Sequence, residues 1–249
     1  MRKIIVTRPT DQAKSWLEAL SKAGFDTIAL PFIETQALEL PNNAQSILAN
    51  SDAVMLVSAN AVKYCSSLIK DYKLHQKWPR FWVTGPGTAK ALIDLGVSDH
   101  LIDYPDPDHS SLDSKGLWKL VHTQLDSIKS VLFVRGRHFQ THHTGNPWLE
   151  QQLQAKGINT QTIVVYERKS PTWTQEQQLV AQKMLQQPVI WLLSSSEAIE
   201  LAPELNFQGQ VALVTHEKIA KTAEKKGFFV QSIIHPSIEK VIAGLKSIQ

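Results

Sequence analysis

This sequence predicts an α/β protein of two similar domains, each built on a parallel sheet. Three observations predict it. Short apolar, β-branched runs alternate with amphipathic helical stretches along the 249 residues, which is the pattern of successive βαβ units. Segments of the first half recur in the second half at a nearly constant spacing. The recurrence is circular, with the end of the first copy matching the start of the chain.

"KIIVT" (3–7) reads as a buried strand, and a helix follows from Asp11, taken as its N-cap, to Ala23. Ala13, Trp16, Leu17 and Leu20 share one face of that helix, and Gly24 stops it. "TIALPFIETQAL" (27–38) is extended, with Pro31 breaking it. "AVMLVS" (53–58) is a strand leading into a helix at "ANAVKYCSSLI", and "RFWVTG" (80–85) one leading into "PGTAKALIDLG". "HLIDYP" (100–105) precedes a helix near "SLDSKGLWKLVHTQL". "VLFVRG" (131–136) leads through a polar loop to "NPWLEQQLQAKG", and "TQTIVVYERKS" (160–170) is extended. A helix around 174–186 precedes "PVIWLLS" (188–194). "QVALVT" (210–215) and "FFVQSII" (228–234), with their helices, close the chain.

The repeats decide the domain order. "LSKAGFDT" from residue 20 resembles "LQAKGINT" from residue 153, an offset of 133, and Glu34 meets Glu167 at the same offset. "SANAV" (58–62) resembles "SSEAI" (195–199), and "VTGPGTAKALIDLG" (83–96) resembles "VTHEKIAKTAEKKG" (214–227). Units from 53 onward therefore pair with units from 189 onward, while 131–168 pairs with 3–35. One domain is then discontinuous, 1–36 plus 169–249, and the other, 37–168, is inserted within it. Two extended crossings, near 30–38 and 161–170, join them. Side by side they would form a two-stranded ribbon and act as a hinge beside a cleft, because few core contacts cross such a ribbon.

Composition narrows the function. A formal charge of +3 is mildly basic and short of a nucleic-acid-binding stripe. It suits an enzyme handling a small anion. Cys65 is the only cysteine, so no intramolecular disulfide forms, and packing is its expected role. "MRKIIVTRPTDQ" lacks the long apolar core of an export signal, and no stretch reaches a membrane span. A cytoplasmic monomer, touching neither nucleic acid nor membrane, is the expectation.

Ligands of open parallel sheets collect beyond the carboxyl ends of the strands. The residues there are Thr7 and Arg8; Ser58, Ala59 and Asn60; Thr84, Gly85, Gly87 and Thr88; Arg135, Gly136 and Arg137; Ser194, Ser195 and Ser196; and Lys218. Small residues there expose helix N-terminal amides that bind carboxylates or phosphates. The arginines add forked contacts. The same serines and threonines also serve as ordinary helix caps. "TGPGT" fits neither a P-loop nor a dinucleotide fingerprint, and its glycines admit either a ligand or a close helix. "RHFQTHH" (137–143) has no companion ligands, so no metal is expected. Tyr166, on the second crossing, is either an aromatic of a half-buried strand or a phenol aimed into the cleft as a proton donor.

"IIVTRP", "LPFIET", "SANAV", "VTGPGTAKAL", "GNPWLEQQLQAKG" with "VVYER", and "SSSEAI" resemble uroporphyrinogen-III synthase, in order and over nearly the whole length. The resemblance implies two flavodoxin-like domains joined by a β-ladder, with no metal and no organic cofactor. It implies that hydroxymethylbilane loses water, ring D inverts and the macrocycle closes to uroporphyrinogen III. It matches Tyr166 to the family's proton-donating tyrosine, Ser58 and Thr88 to polar residues of the inserted domain, and Ser194 or Ser195 to a serine of the other. It is compatible with transient contact with the enzyme that hands over the unstable bilane. The chain departs from the family at "THEKIA", where His216 and Lys218 replace a Gly-Pro-Thr type turn and Lys218 stands in as a carboxylate partner. Two rivals remain at this level. One is a two-domain protein that binds a small anion without chemistry. The other is a glycosyltransferase-like enzyme, which would want longer domains and a nucleotide-diphosphate site.

Overall fold

The computed structural model describes residues 2–72 and 78–248. From the N-terminus run β1 (Lys3–Val6), α1 (Thr10–Lys22), β2 (Thr27–Ala29) and β3 (Glu34–Ala37). Next come α2 (Ala44–Ala49), β4 (Ala53–Leu56), α3 (Ala59–Tyr64), α4 (Ser66–Tyr72), β5 (Arg80–Val83) and α5 (Pro86–Asp94). They are followed by β6 (Ile102–Asp103), α6 (Ser114–Val121), β7 (Ser130–His138), α7 (Trp148–Ala155) and β8 (Asn159–Lys169). The chain closes with α8 (Gln175–Leu185), β9 (Val189–Leu193), α9 (Ser196–Glu200), β10 (Val211–Val214), α10 (Glu217–Lys225), β11 (Phe229–Ile233) and α11 (Ile238–Ile248).

Two compact units result. One holds Met1–Thr35 and Lys169–Gln249, the other Gln36–Arg168. The chain passes from one to the other within β3 and again at the end of β8. The first unit carries the sheet β11-β10-β9-β1-β2, parallel throughout. Counted along the chain within that unit, this is the flavodoxin-like order 2-1-3-4-5. The other sheet runs β3-β8-β7-β4-β5-β6, and its pairs from β8 to β6 are parallel. Here β8-β7-β4-β5-β6 corresponds to β2-β1-β9-β10-β11. The likeness in sheet order is therefore circular in sequence. The additional strand β3 lies beside β8, where the Leu38 N–H donates to the Val165 carbonyl at 3.1 Å.

Each sheet is covered on both faces. In the first unit Ile5, Trp191 and Leu193 face a cluster with Phe32, Phe207 and Phe228, while Ile4, Val6 and Leu192 face Leu20, Val241 and Leu245. In the second, Val54, Leu56 and Val134 face Val62, Leu92 and Tyr166, while Met55, Trp82 and Phe133 face Leu117, Leu149 and Leu153. Successive strand residues point to opposite faces, so strands buried on both sides read as continuous apolar runs.

The repeated helix endings have one geometric cause. Gly24, Gly96, Gly157 and Gly227 all have positive φ, from 77° to 100°. The next residue turns back in each: Phe25 to Leu20, Val97 to Leu92, Ile158 to Leu153 and Phe228 to Ala223, by N–H to carbonyl bonds of 3.0–3.1 Å. Each pair also shares a core cluster. This is the glycine-capped helix ending with its apolar contact.

The structure differs from the sequence reading in several places. Helix α1 begins at Thr10 with Pro9 in the cap position, and Asp11 lies in its first turn. Pro9 offers no side-chain acceptor, and its carbonyl takes the Gln12 and Ala13 N–H groups at 2.9 Å. Cys65 lies between α3 and α4 rather than inside one helix. Burial pushes its thiol up to about 12, consistent with a packing role. The short α2 has no sequence expectation, and only Ile102–Asp103 of "HLIDYP" pair as a strand.

Candidate active site

In a sheet of this order the binding place lies beyond the strand ends where the order reverses. That is between β4 and β7 in the inserted unit and between β1 and β9 in the other.

Tyr166 occupies this place in the inserted unit. It is buried, and its hydroxyl lies 3.3 Å from Ser58 Oγ and accepts from Arg168 Nη1 at 3.4 Å. Its ring stacks on Tyr64 with centroids 5.2 Å apart, and the Arg168 guanidinium lies 5.7 Å from the ring centre. The partner strand makes room. Gly136 faces Tyr166 in the β7–β8 register, just past an irregularity after Arg135. A Cβ on Gly136 would meet three ring carbons at 2.3–2.6 Å. The irregularity and the glycine together aim the phenol across β7 toward the end of β4, the usual work of a bulge. Ser58 is also the N-cap of α3, accepting the Ala61 N–H at 3.2 Å. One serine thus starts a helix and fixes the phenol. Such a phenol can hand over a proton, and the neighbouring guanidinium stabilises the negative charge left behind.

The remaining strand-end residues of this unit divide into capped and uncapped sites. Gly85 is the N-cap of α5 without a side-chain cap, and Pro86 follows it. Gly87 is exposed in that turn, and Thr88, buried, donates its N–H to the Gly85 carbonyl. Ala59 and Asn60 form the first turn of α3. Thr84 lies with Arg135 at a separate cavity. Arg137 is committed elsewhere, donating to Glu167 Oε2 at 3.1 and 3.3 Å across the strand pair. Opposite charges on facing strand positions explain why it stays there.

In the other unit Thr7 is buried and donates to the Leu192 carbonyl at 2.8 Å, stitching β1 to β9. Arg8 lies 4.4 Å over Trp16, with its Nε unpartnered among the described residues, and burial lowers its pKa from the ordinary value. Ser194 ends β9. Ser195 caps α9 through the Ala198 N–H, and the buried Ser196 Oγ has no partner among the described residues. His216 is the N-cap of α10: its Nδ1 accepts the Lys218 N–H at 3.0 Å. An imidazole therefore does there what a hydroxyl would do. The Lys218 side chain is exposed.

His138 and His143 accept backbone N–H groups of their own loop through Nδ1. Among the described residues no group of three or more His, Cys, Asp or Glu could hold a metal. Sequence reading missed Tyr64 and Arg168 as neighbours of the phenol. Arg168 carried a usable signal, since residues two apart on a strand share a face.

The family described as uroporphyrinogen-III synthase HemD matches residues 14–243. Among solved structures, the uroporphyrinogen-III synthetase of Helicobacter pylori is 17% identical with a TM-score of 0.62, covering 100% of both chains. A mutant uroporphyrinogen III synthase of the extremely thermophilic bacterium Thermus thermophilus is 14% identical with a TM-score of 0.59, covering 99% of this chain and 98% of its own. At these identities the two structures speak for the fold alone. No curated protein matches in sequence.

Proposed function

The chain belongs to the uroporphyrinogen-III synthase family, cyclising lyases of tetrapyrrole biosynthesis, and from that premise we propose how its residues carry the reaction. The enzyme converts linear hydroxymethylbilane to uroporphyrinogen III, with loss of water and inversion of ring D. The carrying observation is the Ser58–Tyr166–Arg168 constellation at the strand ends of the inserted unit.

Tyr166 donates a proton to the hydroxyl leaving the ring A hydroxymethyl group. The products are water, an N-protonated azafulvene cation and a tyrosinate held by Ser58 and Arg168. Attack on the azafulvene at the substituted carbon of ring D gives a spiro intermediate, and fragmentation and reclosure give the inverted ring. The proton lost on rearomatisation restores the phenol. The substrate closes unaided to the other isomer, so positioning is the larger task. The carboxylates are taken by Arg8, by the amides around Ala59, Asn60, Gly85 and Gly87, by Thr88, by the Ser194–Ser195–Ser196 turn, and by Thr7, Gly136 and Lys218. Support for Thr7 is limited to its backbone, because its hydroxyl is occupied. The passages within β3 and at the end of β8 serve as the hinge. Scattering profiles that superimpose with and without product would count against it.

The test is an isomer assay on hydroxymethylbilane. Uroporphyrinogen III should dominate with wild-type protein, and isomer I alone would end the reading. Tyr166→Phe should fold normally and turn over roughly 10- to 100-fold more slowly, since general acid catalysis supplies only part of the acceleration. Wild-type rates in that variant would remove the proton-donor role.

A further inference from the structure

The inserted unit carries a second polar cavity, on the sheet face away from Tyr166. It has a volume of about 320 Å³ and is lined by Thr84, Lys115, Arg135 and Asn146 together with Val57 and Trp148. It opens between the N-terminal turns of α6 and α7. The amides of those turns are already matched: Asp113 Oδ1 accepts the Lys115 and Gly116 N–H groups and Asn146 Oδ1 accepts that of Trp148.

Arg135 reaches this cavity from β7. The residue is 3% exposed. Its polar contact among the described residues is Nη2 to Glu150 Oε2 at 3.4 Å, longer than a good charge-assisted bond, and its Nε has no partner. Phe133 lies 4.7 Å beneath the guanidinium. Desolvation lowers its pKa, with Glu150 opposing that shift. A buried guanidinium with most of its fork unmatched is costly unless something pairs with it. The cavity beside it is where that partner fits. Lys115 adds an exposed ammonium at the rim, and Asp113, the one carboxylate in the lining, is turned to the α6 amides. Carboxylate and phosphate match the fork geometry of arginine.

We propose that this cavity is an oxyanion pocket in which Arg135 holds a carboxylate-sized or phosphate-sized group, with Lys115 and Thr84 as further donors. Two sources share that chemistry: a carboxylate arm of the bilane, which rests on the activity above, and a free oxyanion such as inorganic phosphate.

Arg135→Lys keeps a charge beside Glu150 and loses the fork, and Lys115→Ala changes only an exposed side chain. Steady-state kinetics on hydroxymethylbilane and calorimetric titration with inorganic phosphate separate the sources. If the arm binds, Arg135→Lys raises KM roughly tenfold, as expected for losing a charge-assisted bond, and Lys115→Ala raises it about threefold. If the free ion binds, wild-type protein takes up phosphate and Arg135→Lys weakens that uptake by a similar factor. Unchanged KM together with absent or unaltered phosphate binding overturns the pocket. Wild-type protein forming only isomer I would instead sink the activity, leaving the phosphate titration still decisive for the pocket.

Discussion

A Cβ on Gly136 would overlap the Tyr166 ring carbons, at 2.3–2.6 Å. No rotamer of an alanine avoids this, since Cβ is fixed by the backbone. Gly136→Ala must therefore push the ring off its place between Ser58, Arg168 and Tyr64. Overpacking of this kind costs about 1–3 kcal/mol of stability. The proton donor also moves, so activity should fall at least as far as in Tyr166→Phe. Chemical denaturation and the isomer assay on the same preparation check both effects. A Gly136→Ala enzyme with full activity would show that the ring's position is immaterial. The sequence made Tyr166, Ser58 and Gly136 visible as separate strand-end residues. It could not show that they touch, because residues 58, 136 and 166 meet only through sheet pairing and a register irregularity.

At the scale of elements, helix ends carry most of the local information. Asp113 is the side-chain cap of α6, bonded to the Gly116 and Lys115 N–H groups and to Ser111 Oγ. The bond from Gly116 leads the causes that depress its pKa below the ordinary 3.8. A carboxylate depressed by folding stabilises the protein above the unfolded pKa, and the contribution is lost as pH falls through the folded pKa. Asp113→Ala should therefore cost about 1 kcal/mol at pH 7. The difference from wild type should shrink as the pH drops below about 3.8. Urea melts at the two pH values measure it, and an equal difference at both would exclude the charge. Caps of this sort can be written in a sequence, as the Gly24 ending was. Helix α2 was not, because its six residues offer little periodicity and it forms against the core through Ala44 and Leu48.

For the whole molecule, the division into units makes a strong demand. The clusters built on Val54 and Phe133 draw all their buried residues from within 44–166. A polypeptide of residues 36–168 is thus expected to fold alone and unfold cooperatively in urea, with an m-value of about 1–3 kcal/mol/M. A broad, featureless melt would refute its independence. The other unit needs both chain ends, since β1 lies between β2 and β9. Residues 1–35 alone should remain unfolded.

By itself the sequence determined the βαβ alternation, the glycine-ended helices and the circular repeat, because each is written in local patterns of side-chain type and spacing. It also placed the polar strand ends, since a parallel strand in this fold class must finish beside a helix start. The tertiary structure alone decided which arginines are already matched. Arg137 is paired with Glu167 across two strands, while Arg135, two positions away on the same strand, is left with a long contact to α7 and an unfilled fork. Such pairings depend on sheet register and helix placement, so no local pattern encodes them.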